Sequence, residues 1–479
     1  MKRSRVKKIQ RFWSQLGPKY LPFADAASTE LPLGRLLRLS LFQISVGLAA
    51  VLLTGTLNRV MIVELNVPAW VVAVMVSLPL LVAPFRALIG FKSDTYKSYL
   101  GVRRLPYIWY GSLLQFGGLA IMPFALLVLS GDVRGGPQEL GVVGAALAFL
   151  MVGLGMHTTQ TAGLALATDI SPEDKRPRVV ALLYVMLLVG MVGASLVYGF
   201  LLQNYNPKLL IQLVQGAAAV TVVLNLIAVW KQETRDPAQT APDLERPSFK
   251  ESWNEFLAAG RVKRLLIAVG LGTAAFSMQD ILLEPYGVEM LGLSVSATSL
   301  LTALLAGGTL LGLAYSASKL GQGGDVHRLA GFGAVIGVFA FSAVIFSAPF
   351  HSPTLFRIGT FMIGVGGGLF VTGTLTAAMA LARDGYSGLA LGAWGAVTAT
   401  ATGVAAFLGG ALRDFVGTLS AKGALGVALT DPSVGYSVVY HLEILLLFAT
   451  LAAIGPLVNY RSEKSVPVGT KFGLVQFPG

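Results

Sequence analysis

The stretch RVVALLYVMLLVGMVGASLVYGFLL, residues 178–202, carries one arginine at its start and no other charged residue. An α-helix rises about 1.5 Å per residue, so these residues can cross a hydrocarbon layer about 30 Å thick. A helix also pairs its own backbone amides and carbonyls, which is required in hydrocarbon because lipid tails offer them no partner. The stretch therefore predicts a membrane-spanning α-helix.

Similar apolar runs lie on both sides of this stretch, and a polar segment divides the whole set into two groups of six. The sequence thus predicts an all-α polytopic membrane protein with twelve transmembrane helices in two six-helix repeats. The expected spans are 39–62, 69–90, 105–130, 140–167, 178–202, 208–230, 263–286, 295–317, 328–349, 354–381, 387–411 and 433–459.

The composition agrees with a membrane protein. The 479-residue chain is 54% hydrophobic and 13% charged, whereas soluble domains average about 25% charged residues. The absence of cysteine excludes disulfides, thiolate metal sites and cysteine nucleophiles. The net charge of +12 is concentrated near the N-terminus and in alternate loops, which predicts contact with anionic lipid rather than nucleic acid. The same distribution places both termini in the cytoplasm, and we expect no cleaved signal peptide.

Outside the spans, two segments predict short amphipathic helices. Val6, Ile9, Trp13 and Leu16 share one face of a basic N-terminal segment, which indicates a helix lying on the membrane surface. A disordered basic tail is the alternative. In the central linker, Ser-Phe-Lys-Glu at 248–251 forms a capping box that would open a helix. We divide the chain into an N-terminal segment (1–38), a first half (39–230), a linker (231–262), a second half (263–460) and a tail (461–479).

The two halves also share motifs in the same order. The sequence Ala-Leu-Ala-x-Asp ends the fourth and the tenth runs, at Asp169 and Asp384. Gly-x-x-x-Asp follows the second and the eighth runs, at 90–94 and 321–325. This shared order predicts an internal repeat, which is an architecture used by transporters.

The first of these loops, GFKSDTYKSYLGVRR at 90–104, resembles the loop motif of the major facilitator superfamily. Gly90 would let adjacent helices approach, and Asp94 can cap a neighbouring helix and pair with Arg103 or Arg104. The loop departs from the superfamily pattern by about four extra residues before Gly101. A conformational latch and a static clamp both fit these residues.

Polar groups inside the apolar spans are candidate binding residues, because burying them is costly. His157 and Gln160 share a face of the fourth span. A neutral imidazole is a good axial ligand for the magnesium of a chlorin pigment, although a hydrogen-bonded structural histidine is the commoner outcome. The seventh span contains Gln279, Asp280 and Glu284, with the two acids one turn apart. They fit proton coupling, pigment ligation or pairing with an arginine such as Arg59 or Arg86; alternatively, Glu284 lies at the outer interface.

No motif of an enzyme is present: the sequence has no Walker A loop, no H-E-x-x-H and no credible hydrolase triad. We therefore expect a protein that is not an enzyme, and no metal site beyond the magnesium of a bound pigment.

Several stretches together resemble one family within the major facilitator superfamily, the bacteriochlorophyll-delivery proteins PucC and LhaA of purple phototrophic bacteria. The resemblance extends over about residues 20–460. Its most specific parts are LNRVMIVEL (57–65), GFKSDTYKSYLGVRRLPYIW (90–109), HTTQTAGLALATD (157–169), QDILLEPYG (279–287) and LGAWGA (391–396).

This resemblance implies an assembly factor that hands bacteriochlorophyll a to the α and β polypeptides of a light-harvesting antenna in the intracytoplasmic membrane. The core antenna, LH1, is favoured over the peripheral antenna, LH2. A carotenoid is a further candidate ligand, and the reaction centre–LH1 complex and pigment-synthesis enzymes are further candidate partners. Two alternatives remain open at the level of sequence. One is a proton-coupled secondary transporter that uses Asp280 or Glu284, and the other is an antenna-helix chaperone that binds no pigment.

Overall fold

The structure is a computed structural model, and it describes most of the chain from residue 32 to residue 458. The N-terminal residues with the expected surface helix, the C-terminal tail and Asp384 lie outside the described residues. Within the described range the gaps are 66, 68, 131–137, 203–205, 242, 259–260, 294, 382–386, 427–428 and 432.

The described residues form helices joined by short loops, with no strand among them. Eleven helices are each long and apolar enough to cross a membrane, and a bent helix pair supplies a twelfth span. The predicted all-α fold with twelve spans is therefore confirmed. Numbering only the spans, they are α1 (Leu33–Val51), α2 (Ala69–Leu81 and Arg86–Asp94), α3 (Leu105–Leu129), α4 (Gln138–Ile170), α5 (Arg176–Leu201), α6 (Pro207–Val229), α7 (Val262–Ser277 and Leu283–Leu291), α8 (Val295–Gly321), α9 (Val326–Ser347), α10 (Pro353–Ala380), α11 (Ser387–Ala421) and α12 (Ser433–Ile454).

Two helix boundaries differ from the predicted spans, and a third is explained by a helix cap. Helix α1 begins at Leu33 rather than at 39, because Leu36 already packs in the interior. Helix α11 continues to Ala421, beyond the predicted 411. The break between α9 and α10 falls where Ser352 caps the new helix, its hydroxyl accepting from the Leu355 amide at 3.2 Å.

The first helix of each half is irregular near the same depth. Helix α1 passes into a π-helical turn at Leu52–Leu57. Helix α7 passes into a 3₁₀ turn at Met278–Ile281 and then bends by 49°. The span predicted over 263–286 is therefore present, but as two helices with a bend between them. Pro285 lacks the amide that would bond to the carbonyl one turn earlier, which favours a break at this point.

Among the described residues, the hydrophobic clusters that contain residues of both halves lie at one end of the bundle. There, Leu39 and Leu164 of the first half pack in one cluster with Val269, Leu375 and Leu391 of the second. Towards the other end each half has its own core, built around Phe149 in the first half and around Phe341, Phe356 and Tyr440 in the second. The two halves are thus joined at one end.

The central linker crosses this joined end, which we call the linker face. Its helix, Phe249–Ala258, begins with the predicted capping box. The Ser248 amide donates to Glu251 Oε2 at 2.8 Å, and the Glu251 amide donates to Ser248 Oγ at 3.2 Å. The Phe249 ring packs edge-on against Phe91 at the end of α2, with 5.5 Å between centroids.

Candidate functional site

The linker face is closed by a buried polar cluster centred on Asp94, which we call the gate. Asp94 accepts hydrogen bonds from the backbone amides of Gly388 at 2.9 Å and Leu389 at 2.7 Å, in the first turn of α11. Its carboxylate also pairs with Arg104, with 2.5 Å between Oδ1 and Nη2. One carboxylate therefore binds a cation of its own half and caps a helix of the other half.

A second carboxylate, Asp169, holds the other side of Arg104. Asp169 Oδ2 lies 3.0 Å from Arg104 Nε and 3.1 Å from Arg103 Nη2, and its Oδ1 accepts from Ser387 Oγ at 2.5 Å. Desolvation alone lowers the pKa of Arg104, but the charges of Asp94 and Asp169 act in the opposite direction and raise it overall. Arg104 therefore stays charged although its side chain has no exposed surface.

Two glycines make the gate sterically feasible. A Cβ on Gly90 would lie 1.8 Å from the carbonyl oxygen of Gly388, so the backbones of α2 and α11 touch at this point. Gly101 has a φ of +76°, a conformation that favours glycine, and its carbonyl accepts from the Asp236 amide at 2.8 Å.

The additional residues between Asp94 and Gly101 contact the linker. The Ser98 amide donates to the Thr240 carbonyl at 2.9 Å, and the Thr240 hydroxyl donates to the Ser98 carbonyl at 2.8 Å. The linker also supplies Glu233, whose carboxylate accepts from the amides that begin α3. The longer loop therefore joins the gate to the linker.

Between the halves, beyond the gate, lies a cavity of about 400 Å³. Its walls are mostly apolar and aromatic, and helices of both halves contribute to them. The lining residues are Leu80, Arg86, Gln160, Tyr184, Leu187, Thr273, Phe276, Ser277, Gly367, Phe370, Val371, Trp394, Thr398, Ala399 and Thr402.

Arg86 is the charged residue among those that line this cavity. Its side chain is buried, with the residue only 3% exposed, and its Nε donates to Thr161 Oγ1 at 3.1 Å. Its Nη2 has no hydrogen-bond partner in the described part of the chain. A Cβ on residue 395 would lie 2.4 Å from Arg86 Cζ, so Gly395 leaves the space that the guanidinium occupies.

Of the two candidates on α4, Gln160 lines the cavity and His157 lies beside it. Gln160 Nε2 donates to Gln43 Oε1 at 3.3 Å. His157 Nε2 lies 3.0 Å from the carbonyl of Pro79. Because a carbonyl can only accept, Nε2 carries the proton and Nδ1 keeps its lone pair. Gln160 can therefore offer its amide oxygen to a metal, and His157 can offer Nδ1.

The three candidates on α7 do not line the cavity, although Gln279 Nε2 donates to the carbonyl of the lining residue Phe276 at 3.2 Å. Gln279 is buried and donates to Asp280 Oδ1 at 2.6 Å. Glu284 is exposed and accepts from the Thr302 hydroxyl at 3.1 Å. The sequence predicted that Asp280 and Glu284 lie one turn apart on the same helix. The helix is broken between them, so they do not share a continuous α-helical turn.

The family is shown by comparison with known proteins. The profile of the PUCC protein family matches residues 56–462. This chain belongs to the PucC family. Protein PucC of Rhodovulum sulfidophilum is 56% identical to it, over 84% of this chain and 89% of the relative. A Rhodobacter capsulatus relative, described as an uncharacterized protein in the puhA-bchM intergenic region, is 54% identical over 98% of this chain and 99% of its own length.

The fold of this PucC-family chain is that of major-facilitator transporters. A bacterial homologue of the iron transporter ferroportin, in an outward-facing state, superposes with a TM-score of 0.67 at 16% identity. The match covers 88% of this chain and 98% of that protein. At this identity the likeness shows the fold alone, and the predicted transporter-like fold is confirmed.

Sequence reasoning missed two residues of this PucC-family chain. Glu443 of α12 has no exposed surface, and neither carboxylate oxygen has a hydrogen-bond partner among the described residues. It lies within electrostatic range of Asp280, at the break in α7. Arg86 was recognised in the sequence as a charge in the second span and as a possible partner for Asp280 or Glu284, but not as a residue of the cavity. A single charge in an apolar run is the signal that marks both residues.

Proposed function

We propose that this chain is an antenna assembly factor that binds bacteriochlorophyll a and delivers it to light-harvesting α and β polypeptides, with LH1 as the favoured client. The observation that carries the proposal is the cavity between the halves. It combines aromatic and aliphatic walls with a few convergent polar atoms, which is the usual composition of a small-molecule site. Membership of the PucC family supports a role in phototrophic bacteria.

The residues present fit a magnesium pigment. A bound pigment would need a ligand from the protein for its magnesium, and a hard cation of this kind prefers oxygen. Gln160 offers its amide oxygen, which receives no hydrogen bond from the described residues while Nε2 is held by Gln43. Trp394, Phe276 and Phe370 offer the apolar surface that a planar ring requires.

His157 is the alternative ligand, through Nδ1. Its contact with Pro79 fixes the tautomer in which Nδ1 is unprotonated, as second-shell hydrogen bonds do for metal-bound histidines. Gln160 is favoured over His157 because it lines the cavity itself and because an amide oxygen is the weaker ligand. A carrier must release its pigment to the antenna, so weak ligation is an advantage.

The distribution of Lys and Arg supports an orientation with the linker face and both termini in the cytoplasm. In a phototrophic host this proposal places the protein in the intracytoplasmic membrane, next to the antenna polypeptides and the reaction centre–LH1 complex. A carotenoid is a second candidate ligand for the same apolar walls.

The proposal is tested by purifying the protein in mild detergent from a pigment-producing host and recording its absorption spectrum. We expect bacteriochlorin bands in the wild type, and roughly a tenfold or greater loss of bound pigment in Gln160→Leu, as for a lost metal ligand. Gln322→Leu, in the exposed loop after α8, is the control and should keep its pigment. His157→Ala decides between the two ligands. A clean wild-type preparation without these bands would contradict the proposal.

A proton-coupled transporter is the second candidate, favoured by the electrostatic interaction between the carboxylates of Asp280 and the buried Glu443 in the second half. It predicts proton uptake by proteoliposomes in response to a solute gradient, lost in Asp280→Asn. An antenna-helix chaperone without pigment predicts co-purification of antenna polypeptides with a colourless protein.

A further inference from the structure

Arg86 is a buried cation without a buried anion. No carboxylate of the described residues lies within ion-pair distance of it. The titratable groups that interact with it electrostatically are Tyr184 and His157. The acids of the gate, Asp94 and Asp169, are engaged by Arg104 and Arg103. A charge in a low-dielectric interior is stable only when it is paired or hydrogen-bonded.

Arg86 has a hydrogen-bond donor that is available to a ligand in the cavity. Its Nε is used by Thr161, its Nη2 is unpartnered, and the residue is part of the cavity wall. Guanidinium nitrogens match the oxygens of a carboxylate in spacing and in charge. A carboxylate on a ligand in this cavity would supply the missing anion.

We propose that Arg86 binds a carboxylate of the ligand, and that the cavity takes the pigment as its free acid, before the propionate is esterified with the isoprenoid alcohol. This inference rests on the proposed function and specifies the form of the pigment. Gln160 and Arg86 line the same cavity, so a pigment bound there would meet Gln160 with its magnesium and Arg86 with its propionate.

The same charge pairing accounts for release. Esterification removes the negative charge of the propionate, and the ester keeps only a neutral oxygen for Arg86. The esterified pigment then lacks the ion pair and leaves the cavity more readily. A reaction that esterifies the carboxylate with an isoprenoid diphosphate, with loss of diphosphate, consumes the ligand of this site.

The test compares two probes that differ only at the propionate: bacteriochlorophyllide a and its methyl ester. Both are titrated into the full-length protein in detergent, and Kd is obtained from the shift of the pigment absorption. We expect the free acid to bind at least about tenfold more tightly than the ester, a ratio that falls to near one in Arg86→Gln. Arg264→Gln, an exposed arginine at the start of α7, should leave the ratio unchanged.

Equal affinities of the wild type for acid and ester would overturn the inference while leaving pigment binding intact. Failure of both probes to bind would overturn the proposed function itself. Oleate, a carboxylate without a ring, should not displace the free acid at equal concentration; effective displacement would overturn the assignment to a pigment. The wild-type ratio decides the question even if Arg86→Gln does not fold. Pigment extracted from protein isolated from the host should likewise be enriched in the free acid.

Discussion

Arg104 and Asp94 form an ion pair with 2.5 Å between Nη2 and Oδ1, and the two side chains are 0% and 1% exposed. Both residues belong to the first half, but Asp94 also accepts two amides of α11 in the second half. Arg104 Nη2 also donates to Ser387 Oγ, which is 283 residues away in the sequence. The pair therefore fixes the position of the first turn of α11. This buried pair closes the linker face together with Asp169, which contacts both Arg104 and Ser387.

Replacement of Asp94 by asparagine should destabilise the protein strongly. Asp94→Asn leaves Arg104 with Asp169 alone and weakens the cap on α11, and loss of one member of a buried pair costs about 3–5 kcal/mol. Thermal unfolding in detergent measures this effect. Glu173→Gln is the control, since Glu173 is 87% exposed and its contact with Arg176 is 3.5 Å long. An exposed pair contributes about 0–1 kcal/mol, so its unfolding temperature should barely change.

The same substitution should open the linker face. The chain contains no cysteine, so Thr398→Cys places one labelling site in the cavity wall without a background. In the Asp94→Asn background we expect a membrane-impermeant maleimide to label this cysteine faster from the linker side. Unchanged labelling together with reduced stability would mean that the gate is a static clamp rather than a latch.

Gly90→Ala should disrupt the gate by steric overlap rather than by charge. The new methyl would lie 1.8 Å from the Gly388 carbonyl oxygen, which is backbone and cannot rotate away. We expect α2 and α11 to separate and the unfolding temperature to fall. Gly216→Ala in α6 is the matched control, because no atom lies within 4 Å of a Cβ there. It should stabilise by about 0.5–1 kcal/mol through helix propensity. Equal effects of the two substitutions would contradict a tight α2–α11 contact.

The twelve spans could be predicted because bilayer thickness and backbone hydrogen bonding leave little choice for a long apolar run. The boundary between the ninth and tenth spans, around Pro349–Pro353, was the least certain of the predicted boundaries, and the structure places the start of α10 at Pro353. The break in α7 was not readable. Pro285 is tolerated within many membrane helices, and whether it bends one depends on the neighbouring helices that satisfy the freed carbonyl.

The site was only partly predictable, because its contacts join residues far apart in the chain. Asp94 and Arg104 were recognisable as a pair from local chemistry, but the bonds from Asp94 to Gly388 and Leu389 depend on how the halves pack. Arg86 and Glu443 were visible as isolated charges. That both are buried without an oppositely charged partner is a property of the packed bundle, since sequence does not show which side chains surround them.

Glu443 should be replaceable by glutamine without loss of stability. Its carboxylate has no exposed surface and no partner within the described residues, so an ionised form would be costly there. Glu443→Gln keeps the shape, removes the charge and adds donors near Gln279, whose amide oxygen also lacks a partner. We expect an equal or higher unfolding temperature. Glu255→Gln on the exposed side of the linker helix is the control. A marked decrease for Glu443→Gln alone would show that the carboxylate makes an essential interaction.

The linker helix should lose order at low pH. Hydrogen bonds from Ser248 lower the pKa of Glu251, so the folded helix holds this carboxylate ionised to lower pH than the unfolded segment does. The contribution of Glu251 is therefore fully present above its unfolded pKa and disappears as the pH falls through the lowered folded value. Hydrogen exchange of the Phe249–Ala258 amides, corrected for intrinsic rates, should show protection decreasing over that range. Ser248→Ala should lose about 1 kcal/mol of helix stability at neutral pH but keep much of the pH dependence, because its backbone amide still donates to Glu251. Glu251→Gln, which cannot ionise, should lose most of the pH dependence. Protection that varies with pH to the same extent in Glu251→Gln would assign the effect to another group.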